Sequence, residues 1–158
     1  MKKRVQIMVF LFVWQWITSC AVATPFQRSA KLDQVEMTPE TIVILALTEV
    51  EITGTSSDKS SFWERVTSVR KSLDEMPGYL GGAIRKEILG PRAWTLTVWT
   101  SEEALEQFVA SREHERAMRE GAPAVKTSKF YRGKYAWKEM PIGWDVVEKL
   151  IDEEGRKE

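Results

Sequence analysis

His114 is the only histidine in a chain of 158 residues. Its side chain is the one best suited to moving a proton near neutral pH, because an unperturbed imidazole titrates close to 6.5. The same ring also serves as an axial ligand to heme iron, given an apolar pocket and a partner for its second nitrogen. A non-heme metal centre is disfavoured, since one histidine and one cysteine without clustered carboxylates do not build a coordination shell. Aromatic side chains are the second resource. Beyond the first twenty residues stand Trp63, Trp94, Trp99, Trp137 and Trp144, and aromatic walls stack well with flat ligands. Trp99 is the foremost candidate, because it ends an alternating segment just ahead of the helix that carries His114. Trp94 and Phe108 are the further candidates for contact with a hydrophobic or aromatic small molecule. No Ser-His-Asp order, phosphate-binding glycine loop or dinucleotide fingerprint accompanies them.

The helix holding His114 poses a geometric problem. It opens at Thr100 or Ser101, with Glu102 and Glu103 complementing the positive end of the helix dipole, and Gly121 to Pro123 end it. Ala104, Leu105, Phe108 and Val109 form its buried stripe. At 100° per residue His114 lies roughly 150° from the centre of that stripe. Ala110, His114, Ala117 and Met118 make a second stripe of their own. Either the helix bends near Ser111, a residue able to cap a new turn, or the second stripe meets something other than its own sheet; a functional His114 requires one of the two.

The elements that must position these residues follow from periodicity. Residues 41–52, rich in β-branched and aliphatic side chains, read as a first strand. Gly54 to Ser60 read as a turn cluster. Ser61 and Glu64 have capping-box spacing, and Phe62, Val66, Val69, Leu73 and Met76 then mark an amphipathic helix stopped by Pro77-Gly78. Residues 79–89 form a second strand, in which Gly81-Gly82 signals a bulge or a close approach to the backbone. A Gly90-Pro91 turn leads to a third strand over 92–100. Residues 128–139 form a fourth strand, with Tyr131, Tyr135 and Trp137 on one face, and Trp144, Val147, Leu150 and Ile151 mark a C-terminal helix. The order is that of an α+β, ferredoxin-like βαββαβ fold with a four-stranded antiparallel sheet. Both faces of the first and third strands are apolar, and two helices cover only one of them. A second copy of the sheet is the expected cover, giving a homodimer. The alternative cover is the C-terminal helix or residues 21–40.

The stretch from Trp94 to Met118 resembles the dimeric α+β barrel superfamily. Within it, the likeness is to antibiotic biosynthesis monooxygenase-like and spheroidene monooxygenase-like proteins, whose third strand ends in Trp and whose next helix reads Phe-x-x-Ser-x-x-His, here Phe108, Ser111 and His114. The resemblance implies a sheet-mediated dimer and a mostly apolar pocket for a polycyclic aromatic substrate or for heme. It implies oxidation by molecular oxygen, in some members without a cofactor. On this chain the proton acceptor or iron ligand would be His114, and the matching pocket aromatic Trp99. Active members also place an asparagine near the pocket. This chain contains none, so an Asn-Trp-His arrangement is excluded and a non-catalytic binding dimer is the alternative function.

Residues 1–20 read as a signal peptide: Lys2, Lys3 and Arg4 precede a mostly apolar run from Val5 to Ile17. That run is shorter than the ~20 residues of a spanning helix. "ITSC" matches the loose pattern of a bacterial lipobox ending at Cys20, so an exported, lipid-anchored protein is expected. Cleavage after Ala23 with free secretion is the rival. Residues 21–40 mix Pro, Thr, Ser and charge and read as a linker to a domain over 41–154. The single cysteine excludes an internal disulfide. Net charge is zero, and loss of Lys2, Lys3 and Arg4 leaves −3, which argues against nucleic-acid binding.

Overall fold

The computed structural model describes residues 20–157. The expected leader therefore lies outside the described residues except for Cys20, which is exposed. In chain order the elements are β1 (Ala21–Ala23), β2 (Gln27–Arg28), β3 (Ile42–Ile52), α1 (Ser56–Leu73), β4 (Tyr79–Glu87), β5 (Arg92–Trp99), α2 (Glu102–Val109), α3 (Arg112–Gly121), β6 (Val125–Ala136), α4 (Trp144–Glu154) and β7 (Arg156–Lys157). The sheet is antiparallel throughout, in the order β1-β4-β5-β3-β6-β7, with β2 also on β4. Its centre, β4-β5-β3-β6, is the ferredoxin-like arrangement expected, and the short β1, β2 and β7 extend it beyond four strands.

Alternation in β3 and β5 divides the sheet into two faces. Leu45 pairs with Val98 and Leu47 with Leu96 on one face; Ala46 pairs with Thr97 and Thr48 with Thr95 on the other. The first face is closed by the chain itself. Val147 and Ile151 of α4 and Leu32 from the N-terminal segment share a cluster with Val43, Leu45, Leu47, Leu80, Leu96 and Val98. That is the alternative cover named above, so this face is closed within the chain. The expectation that residues 21–40 form a linker is corrected by the same packing. Leu32 is buried, Ser29 N–H donates to the Leu80 carbonyl at 3.0 Å, and the Phe26 ring lies over Gly81, where a Cβ would come within 2.7 Å of it. The pairing of β4 with β5 shifts register between Tyr79 and Gly81. Gly81-Gly82 therefore marks both a bulge and a close approach.

Helix α1 begins earlier than the Ser61 signal. Thr55 is the N-cap: its hydroxyl accepts from Asp58 N–H at 3.2 Å, and the Asp58 carboxylate accepts from Thr55 N–H at 2.9 Å. The same three-residue spacing occurs twice, and the earlier one caps because Gly54 fits against Ala124 and Pro123 at the end of β6's lead-in. The stretch 54–60, expected as a turn, is thus largely the first turns of α1.

Candidate functional site

On the helix-facing side of the sheet the core is split in two. Ile44, Leu73, Tyr79, Trp99, Leu105 and Phe108 form a cluster at one end, and Ile52, Ala93 and Ala124 with Phe62 and Trp63 form another at the far end. Between them the sheet presents Ala46, Thr48, Thr95 and Thr97. Side chains this short do not reach the roof made by α1 and α3, so a cleft remains. It continues into an open groove around β6, and the whole occupies about 1910 Å³. Its walls include Val66, Val69, Phe108, Val109, Ala117 and Phe130, an apolar lining of the sort that desolvates a small molecule. Thr48 and Thr95 line the floor of the cleft, and the Thr97 hydroxyl accepts from the Trp99 indole N–H at 3.0 Å.

His114 lines this cleft because the helix breaks. α2 ends at Val109, and Ser111 caps α3, its hydroxyl accepting from His114 N–H at 3.3 Å. The turn between the two helices carries His114 round to the ring of Phe108, 4.7 Å between centroids. It also leaves the Val109 carbonyl free of a helical donor and 3.0 Å from His114 Nδ1. A carbonyl only accepts, so Nδ1 carries the hydrogen and Nε2 is the basic nitrogen. Burial holds the imidazole below its ordinary 6.5, offset in part by the Val109 bond and by Glu115. The ring is neutral at neutral pH.

The aromatic candidates separate. Phe108 lines the cleft. Trp99 stands behind it, fully buried, stacked on Phe108 at 5.1 Å and edge-on to Tyr79 at 5.3 Å. Trp99 thus supports the wall without facing the cleft. Trp94 is on the opposite face of the sheet. Its indole N–H donates to Glu49 at 2.8 Å, and the guanidiniums of Arg85 and Arg92 lie over its ring, which makes it part of the α4-side packing and not of the site. Period-two alternation places residues 94 and 99 on opposite faces, and the cleft is on the side of 99. Tyr131 and Tyr135 also belong to the α4 side, with hydroxyls 2.9 Å apart.

Tyr79 was missed. It lines the cleft at the Trp99 end, and burial pushes its hydroxyl up to about 12, so it remains a donor across the working pH range. The signal was its register: as the first residue of β4 after the Pro77-Gly78 turn, it pairs with Trp99. At the β6 edge, Glu102 pairs with Lys134 at 3.2 Å and Glu106 with Arg132, tying α2 to β6 through exposed ion pairs. Such pairs contribute about 0–1 kcal/mol each, so they restrain this edge only weakly. Among the described residues no group of three or more metal-ligating side chains occurs.

Residues 47–120, from the middle of β3 to the end of α3, match the antibiotic biosynthesis monooxygenase family. The match covers just under half of the chain, 74 of its 158 residues, and is a likeness of that stretch to the family. No curated protein matches the chain. Among solved structures, a protein of Lactobacillus acidophilus assigned as a monooxygenase superposes with a TM-score of 0.51 at 18% identity, covering 64% of this chain and 49% of its own. The chain thus spans about half of that protein's length. A protein of Nitrosomonas europaea assigned as an antibiotic biosynthesis monooxygenase gives a TM-score of 0.52 at 11% identity, over 69% of this chain and 100% of that one. A protein described as anthrone oxidase-like gives 0.50 at 14% identity, over 73% of this chain and 53% of its own. At these identities the likeness is one of fold.

Proposed function

We propose that the cleft binds a flat, mainly apolar aromatic molecule and that the protein oxidises it with molecular oxygen, without a resident cofactor. The observation that carries this reading is the state of His114: Nδ1 is held by the Val109 carbonyl, burial keeps the ring neutral, and Nε2 is left as the base in an apolar cleft. Such a base takes a proton from a ring methylene acidified by a neighbouring carbonyl. The resulting anion is electron-rich enough to react with oxygen, and the overall change converts CH₂ and O₂ to C=O and H₂O. Tyr79 and the threonines of the floor supply hydrogen bonds that orient the ring oxygens. Anthrone is a suitable probe. Oxygen consumption by the wild-type chain is expected, with kcat/KM lower by about 10²–10⁴ in His114→Gln, the range for removal of a positioned base. Equal rates in the two proteins overturn the assignment.

A second reading rests on the same bond. A histidine whose Nδ1–H is fixed by a backbone carbonyl presents Nε2 as a heme-iron ligand. Heme bound there would supply a redox-active iron, with the apolar walls of the cleft around the macrocycle. A Soret band that appears on adding hemin and is lost in His114→Ala supports this reading; no band removes it.

We further infer from the sequence that the chain is exported and lipidated at Cys20, which places the domain on a membrane surface. Cys20→Ser is then expected to change the mass of the N-terminal peptide and to move the protein out of the membrane fraction. No such change would favour cleavage after Ala23.

A further inference from the structure

The hairpin joining β4 to β5 ends in side chains that its own domain does not use. Leu89 is 94% exposed and Ile88 57%, and Val22 on the adjacent β1 is 51% exposed. These are three of the six large exposed hydrophobics among the described residues, gathered at one end of the sheet. Cys20 is fastened to the same place. Its carbonyl accepts from Ile88 N–H at 2.8 Å, and Ala21 and Val22 pair with Glu87 and Lys86. Behind the tip is a shallow recess that includes Trp63, Lys59, Lys86 and Arg92. Glu87 neutralises Arg92 at 2.8 Å, whereas Lys59 and Lys86 form no ion pair with another described residue. Lys86 Nζ lies 5.0 Å from the centre of the Trp63 ring.

We propose that this tip rests on the surface of an anionic phospholipid bilayer, with Ile88 and Leu89 entering the headgroup boundary. Lys59 and Lys86 face the lipid phosphates, and Trp63 lies at interfacial depth. The inference rests on the membrane placement given above, because the apolar stretch Val5–Ile17 precedes Cys20 in the sequence and Cys20 meets the tip. Each part of the patch has its own reason. Aliphatic side chains gain by leaving water at the interface, tryptophan favours that depth, and lysines are drawn to a negative leaflet. Tethering at Cys20 keeps the tip at high effective concentration near the lipid, so a small patch suffices. Docking here leaves the cleft accessible at the β6 edge, since β1 and β6 lie on opposite sides of the sheet's centre.

The test uses the full chain in vesicles of phosphatidylethanolamine and phosphatidylglycerol, with an environment-sensitive fluorescent amino acid encoded at position 89 or, as a control, at the exposed position 146 of α4. At 89 we expect quenching by nitroxide-labelled lipid and severalfold protection from iodide, weakened in phosphatidylcholine-only vesicles. At 146 we expect iodide quenching alone. A chain that floats with vesicles but shows free iodide quenching at 89 overturns the docking surface and leaves the anchor intact. A chain that does not float overturns both.

Discussion

The role proposed for His114 rests on its Nδ1 being held by the Val109 carbonyl, and both the ring's neutrality and its direction come from neighbours. This has a consequence for stability. Burial places the folded imidazole below 6.5, so as pH falls the unfolded chain takes up a proton before the folded one does. The contribution is fully present above pH 6.5 and is lost as pH drops through the folded value. In urea unfolding at about pH 7.5 and about pH 5, His114→Gln should lose less stability than wild type; equal losses would mean that the ring is hydrated in solution. Tyr79 makes a complementary prediction. Because its hydroxyl stays protonated, Tyr79→Phe removes a donor without removing a charge, and kcat/KM with anthrone should fall while the pH profile keeps its position. A profile that moved would show that Tyr79 itself titrates. At this scale the sequence singled out His114 and Phe108, which the fold brings together at the cleft, but it ranked Trp94 and Trp99 by type. A strand's alternation separates them only once one knows which face the cleft occupies, and that depends on where α4 lies.

Between Val109 and Arg112 the chain does at the scale of an element what periodicity alone left open. One unbroken helix would have put His114 on the solvent side; two helices with Ser111 between them put it against Phe108. The break was legible as two apolar stripes out of phase and a hydroxyl residue at their junction. The start of α1 was less so, because two capping boxes competed and the winner was decided by Gly54 lying against Ala124. Residues 21–40 were illegible for a further reason: their apolar residues, Phe26, Leu32, Val35 and Met37, follow no period. Their packing comes from the sheet they meet. Ser111→Ala should cost about 1 kcal/mol in chemical denaturation, the usual loss for an N-cap, and lower activity beyond what its stability explains. Ser111→Asp, which still caps, should restore both. If neither variant departs from wild type, Ser111 is not what bends the helix.

For the whole molecule, the decisive contact is between α4 and the sheet face that a partner copy was expected to cover. Val147 and Ile151 are fully buried there, and two ion pairs at the rim add to that packing, Glu148 to Arg85 and Asp152 to Lys129 at 2.9 Å. A dimer through this face would first have to expel α4. Truncating two buried aliphatic side chains costs about 0.5–5 kcal/mol each depending on size, so displacing the whole helix, with Leu150 and Trp144 packed beside it, is far more costly. The cleft's floor, roof and His114 are supplied by this chain, and its groove around β6 stays open. Association stabilises the folded state by mass action, which makes the thermal midpoint of a dimer rise with protein concentration. The midpoint of this protein should therefore stay constant over a wide dilution series. A midpoint that climbs with concentration would mean that copies pair through a surface other than the one α4 closes.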